Sequence, residues 1–107
     1  MEDKTPLISD AFKSFMKNAP EHSKAWFELV QALAKASALD KKTGELAYIS
    51  VLAALNRVSG IPFHVASAKK SGATRDEIIS AVLIGLPAAG HIVTQALPPA
   101  LQAYDAQ

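Results

Sequence analysis

The 107-residue sequence has no cysteine. Disulfide scaffolds, thiolate metal sites and every thiol-based mechanism are excluded with it. No sign of charge dominates either. Eleven Lys and Arg stand against ten Asp and Glu, a formal charge of +1. The lysines come singly or in pairs, as at Lys41-Lys42 and Lys69-Lys70, the pattern of solvated helix surface and not of a nucleic-acid footprint. Long apolar runs are missing too. The longest, near Ile78 to Ala89, is interrupted by Ser80, Gly85 and Pro87 and is too short to span a bilayer. The first ten residues, MEDKTPLISD, lack the apolar stretch of a signal peptide. The expectation is a soluble cytoplasmic protein with neither membrane nor nucleic acid as partner. Period-2 alternation of strand length is absent. So are a GxSxG elbow and a phosphate-binding glycine loop. His22, His64 and His91 match no metal-ligand spacing, so no metal is expected.

What the chain does have is apolar surface. Half of its residues are hydrophobic and a fifth are charged, which excludes a disordered chain. One domain, residues 1–107, fits the length. A domain of this size buries roughly 60–70% of its unfolded surface. The excess points to a subunit interface and hence to a homo-oligomer.

Helical spacing recurs throughout. Ser9 and Asp10 offer cap oxygens to a short helix carrying Phe12, Phe15 and Met16, which ends before Pro20. Trp26, Phe27, Leu29, Val30, Leu33 and Ala34 form the packing stripe of a second helix, to about Ala38. Asp40 caps a third, expected from about Lys41 to Val58 and terminated by a left-handed Gly60. Pro62 opens a fourth that stops at Gly72. Thr74 and Glu77 make a capping box for a fifth. Pro87 and Gly90 should bend or break it, and helical character resumes from His91 to Tyr104, across Pro98-Pro99. The fold class is all-α, with five or six helices.

The centre of this plan is Asp40 to Thr74. Leu46 to Leu55 is apolar on every side, as in a helix set in mid-core. Glu45 lies at its start, on the face shared by Ile49, Leu52 and Asn56, since eleven residues return a helix to within about 20°. It is either an acid favoured by the helix dipole or a buried charge that needs a partner. Arg57 is either a cation welcome in a last helical turn or an anion holder. His64, in the first turn of the next helix, is either a satisfied histidine or, with Glu45 on its other nitrogen, an oriented acid–base unit. Glu45, Arg57 and His64 are the candidate catalytic residues. Asn56 and His91, the latter just past the expected helix break, are the candidate substrate-binding residues.

At these positions the sequence resembles the carboxymuconolactone decarboxylase family, within the alkylhydroperoxidase D-like superfamily. The resemblance is carried by Leu39-Asp40-x-Lys42-Thr43-x-Glu45-Leu46, by His64, by Ser71-Gly72-Ala73-Thr74-x-x-Glu77-Ile78 and by Ala89-Gly90. It implies an all-α bundle assembled as a homotrimer or homohexamer. The superfamily's peroxidase branch uses a Cys-x-x-Cys pair, and its two positions fall on Arg57 and Gly60. Thiol–disulfide chemistry is therefore impossible here. The branch without the pair resembles Ala54-Leu55-Asn56-Arg57 followed by His64. It decarboxylates 4-carboxymuconolactone in aromatic-acid breakdown without a cofactor. The resemblance thus implies a cofactor-free lyase acting on a small carboxylated lactone or related acid. The competing expectation is a non-catalytic oligomer that binds a small acid or a partner protein.

Overall fold

The structure, a computed structural model, describes residues 7–106. Among the described residues six helices of nine residues or more follow one another, with one short helical turn and 3-10 segments between them. They are α1 (Asp10–Asn18), α2 (Pro20–Ala36), α3 (Lys41–Ala54), α4 (Ile61–Lys70), α5 (Arg75–Leu83), the single turn α6 (Leu86–Ala89) and α7 (Leu97–Ala106). The 3-10 segments are Val58–Gly60 and His91–Ala96. Among the described residues no strand occurs, and no helix is long and apolar enough to cross a membrane.

The starts of these helices follow from local chemistry. The Ser9 hydroxyl accepts from Phe12 N, and the Asp40 carboxylate accepts from Thr43 N at 2.8 Å. Thr74 and Glu77 form the reciprocal capping box, each side chain accepting from the other's backbone N–H. Proline occupies the first turns of α2 and α4, where its missing N–H would have had no partner. The same reasoning accommodates Pro98-Pro99, which fall in the first turn of α7.

One helix end differs from the expectation. The third helix stops at Ala54, and the residue in the left-handed region is Asn56, with φ 56°, four positions before Gly60. Arg57 N donates to Leu52 O at 2.8 Å and Asn56 N to Ala53 O at 3.2 Å. This pair of bonds satisfies the orphan carbonyls of the last turn, and asparagine is the side chain that best tolerates the conformation after glycine. Gly60 has φ −86°, a conformation open to any residue. A Cβ there would meet Leu52 Cδ1 at 3.4 Å. Gly72, with φ 101°, closes α4 as expected, through Gly72 N to Lys69 O and Ala73 N to Ala68 O.

Four helices make the core. Helix α3 packs on α4 and α5, and α7 packs on the same two from the other side. The segment His91–Ala96 lies against α3, α5 and α7. Ile49, Ile61, Val65, Ile78, Val82 and Val93 are the largest fully buried side chains, each contributing roughly 1.5–3 kcal/mol by burial. Alanines face them, among them Ala53, Ala68, Ala81, Ala96, Ala100 and Ala103, and their small volume lets the helices approach closely. Ser50 Oγ donates to Ala81 O at 2.7 Å, tying α3 to α5. Tyr104 OH donates to Ala73 O at 3.0 Å, tying α7 to the start of α5.

Two apolar surfaces are not covered by this core, which departs from the expectation of a helix set in mid-core. Helix α3 buries Ile49, Leu52 and Ala53 but exposes Tyr48, Val51 and Leu55. Helix α2 packs on α1, and its stripe of Trp26, Phe27, Leu29, Val30 and Leu33 is 39–61% exposed. Four core helices in a chain this short enclose one side of α3 and leave the other without a layer to pack on.

Candidate functional site

Helix α3 carries Glu45 near its beginning, and α4 carries His64 in its first turn. The packing of α3 on α4 brings the two side chains together. Nδ1 of His64 lies 3.2 Å from Oε2 of Glu45 and 3.4 Å from Oε1. Their side chains are 27% and 18% exposed. Tyr48, one turn beyond Glu45, sets its ring 4.6 Å from the imidazole, and the Phe63 ring lies 5.3 Å away at 76°. The imidazole is thus held on one edge by a carboxylate and flanked by two aromatic rings.

Burial raises the Glu45 carboxyl, but the hydrogen bond and charge of His64, aided by Ser67 and Lys41, outweigh it and hold the group below its ordinary 4.5. An ionised carboxylate can only accept. Nδ1 therefore carries the hydrogen of this bond, and in the neutral ring Nε2 carries the lone pair. None of the described hydrogen bonds uses Nε2. An ion pair this close to solvent contributes up to about 1 kcal/mol to stability. Its larger effect is to fix the orientation and tautomer of the ring.

His64 also lines a cavity of about 350 Å³ between the α1–α2 hairpin and the start of α4. Phe12, Trp26, Phe27, Val30 and Phe63 supply much of its wall. Three of these rings interlock edge-to-face, with centroids 5.2 Å apart for Phe12 and Trp26, 5.8 Å for Phe12 and Phe27, and 5.1 Å for Trp26 and Phe27. Glu45 stands behind the imidazole and is not part of the wall. The arrangement presents one orientable proton donor or acceptor to an apolar hollow.

The other candidates fall elsewhere. Arg57 lies in the turn after α3, is exposed, and takes part in none of the described side-chain hydrogen bonds or ion pairs. Asn56 is exposed and serves the chain reversal. His91 is exposed at the start of the second 3-10 segment. None of the three lines the cavity. The chain thus brings together two of its three candidate catalytic residues. The third left the group because the helix expected to carry it ends three residues earlier.

Sequence reasoning passed over Tyr48, Phe63 and the aromatic wall. The signal for Tyr48 was its i+3 spacing from Glu45. For Phe12, Trp26 and Phe27 it was the crowding of aromatic residues into the first two helices, which reads equally well as ordinary packing.

A model of the carboxymuconolactone decarboxylase family matches residues 20–103 of the chain. Among solved structures, the chain is similar to the apo form of a carboxymuconolactone decarboxylase family protein from Legionella pneumophila. The identity is 30%, over 90% of this chain and 86% of that one, with a TM-score of 0.76. Among curated proteins none matches.

Proposed function

Since this chain belongs to the carboxymuconolactone decarboxylase family, we propose that it is a cofactor-free acid–base enzyme, a lyase that decarboxylates a small carboxylated lactone or related acid. The observation that carries this reading is the Glu45–His64 pair at the wall of an apolar cavity. In the reaction the bond between the carboxylate carbon and the ring breaks. Carbon dioxide leaves, and the electron pair spreads into the lactone as a dienolate. His64 in its protonated form gives the Nε2 proton to carbon, which completes the product. The ring is left neutral, still held through Nδ1–H by Glu45, and takes its next proton from water. Glu45 is a positioning residue in this scheme and His64 the catalytic one.

The apolar wall favours the step by thinning the solvent around the departing carboxylate and by excluding competing proton donors. Arg57 is exposed and has no ion pair among the described residues, which supports a role in drawing an anion toward the protein. It does not line the cavity, which speaks against holding the substrate within one chain. The proposal includes a homotrimer or homohexamer working in the cytoplasm on acids from aromatic breakdown.

The test is to add lactones bearing one carboxylate, with the doubly carboxylated 4-carboxymuconolactone beside them, and follow the loss of their absorbance. Turnover by the wild type that disappears in His64→Ala supports the reading, and equal inertness of both sinks it. A second reading, a non-catalytic assembly, draws on the exposed apolar faces of α2 and α3. It predicts saturable binding of acids with no turnover of any of them.

A further inference from the structure

The cavity beside His64 is unusual for a site that would handle a highly charged acid. Among the described residues that line it, His64 is the sole titratable side chain. The remaining polar side-chain groups are the hydroxyls of Ser9 and Ser59 and the indole N–H of Trp26, and the Ser9 oxygen already accepts from Phe12 N. All else is apolar, with four aromatic rings from Phe12, Trp26, Phe27 and Phe63. A single carboxylate can be met here by the imidazole. A second one turned toward the wall would lose water against phenyl and indole faces with no cation among the described lining residues to receive it, and a charge held there without a partner is disfavoured.

Size adds to the argument. An engineered cavity of about 150 Å³ in another protein takes a benzene molecule. A volume of about 350 Å³ therefore has room for a six- or five-membered ring and one short substituent. It also falls within the range of ordinary small-molecule sites. Edge and face contacts from four aromatic side chains suit a flat ring better than a flexible chain.

From this wall we infer that the occupant of the cavity is a flat ring bearing one polar pole, a single carboxylate or a neutral carbonyl or amide. The pole lies against Nε2 of His64 and the ring among Phe12, Trp26, Phe27 and Phe63. A ring with two carboxylates is rejected. The inference rests on the reading of His64 as the working group of the site, and it narrows the substrate class of that reading.

The chain has one tryptophan, and it stands in the wall, so its emission reports occupancy directly. The probes are phenylacetate, phenylacetamide and homophthalate, which is phenylacetate with a second carboxylate on the ring. Phenylacetate and phenylacetamide should change Trp26 emission saturably, with homophthalate requiring at least tenfold higher concentration. Calorimetry repeats the ranking independently of the fluorophore. In Val30→Arg, a cation enters the wall from a position 40% exposed on α2, where a long side chain fits at the surface; the gap between phenylacetate and homophthalate should close or reverse. Equal or tighter binding of homophthalate by the wild type overturns the inference. So does Trp26 emission that changes with protein concentration and with none of the three probes, since a second copy's side chain would then fill the cavity. The two readings fail separately. Phenylacetate binding without turnover of any lactone removes the lyase and keeps the ring-shaped site. Homophthalate binding alongside lactone turnover does the reverse.

Discussion

The Glu45 carboxylate reaches across from α3 to hold Nδ1 of His64 at 3.2 Å, a contact between residues nineteen positions apart in sequence. Neither helix could orient the imidazole alone. The contact exists because Asn56 turns the chain back after α3 and lets α4 pack against it. The geometry predicts an asymmetry between the two partners. His64→Ala removes the proton carrier and should abolish turnover, while Glu45→Gln leaves an acceptor that no longer dictates the tautomer. By analogy with carboxylates that orient histidines at metal sites, loss of the carboxylate should lower activity about 10–100-fold. Steady-state kinetics of both variants check this, and equal losses would show that Glu45 does more than position the ring.

Glu45 also sets a pH dependence. Its carboxyl lies below the ordinary 4.5 in the folded chain, against burial and chiefly through His64. A group with a depressed folded pKa binds its proton more weakly folded than unfolded. Its stabilisation is therefore full above the ordinary carboxylate range and is lost as pH falls through the folded value. Denaturant midpoints of the wild type and Glu45→Gln should differ near neutral pH and converge in acid. A difference that widens in acid contradicts this sign.

Asn56 carries the left-handed turn that ends α3. Asn56→Gly should be neutral or slightly stabilising, whereas Asn56→Ala places a Cβ-bearing side chain without local hydrogen bonding in that region, at about 1–2 kcal/mol. For a domain of this size, each 1 kcal/mol moves Tm by roughly 4–8 °C. Thermal unfolding of the two variants should therefore separate clearly.

Ile49 is fully buried one turn beyond Glu45. Ile49→Ala should destabilise the chain by about 2–5 kcal/mol, while Ile49→Val should lose about 0.5–1.5 kcal/mol. Denaturant unfolding measures both. A small effect of the alanine variant would mean that α3 does not anchor the core as described.

Tyr48 and Val51 on α3 and Leu55 at its C-cap make an exposed apolar stripe, and surfaces of this kind mark contacts with other proteins. Sedimentation should show an assembly larger than one chain that Val51→Glu shifts toward the monomer with its helix content intact. A monomeric wild type at micromolar concentration would leave the stripe without a partner from this chain.

Much of this fold could be read from residue patterns. Caps at Ser9, Asp40 and Thr74 and stops at Pro20 and Gly72 are local devices, and local chemistry decides them. The pairing of Glu45 with His64 was also within reach, because both stand at the starts of adjoining helices. Arg57 was not. Its position depends on whether the left-handed residue is Asn56 or Gly60, and residue type alone favours glycine there. The aromatic wall was hidden for a similar reason. Trp26 and Phe27 repeat as a packing stripe would, and only the placement of the α1–α2 hairpin over the start of α4 makes them the lining of a cavity.

The central claim is that Glu45 fixes the His64 tautomer and leaves Nε2 to the cavity. Nitrogen-15 NMR of the histidine side chains, at a pH where the ring is neutral, measures it directly. The account predicts that His64 carries its hydrogen on Nδ1 in the wild type and loses that preference in Glu45→Gln. A wild-type ring protonated at Nε2, or a tautomer indifferent to the substitution, would contradict it.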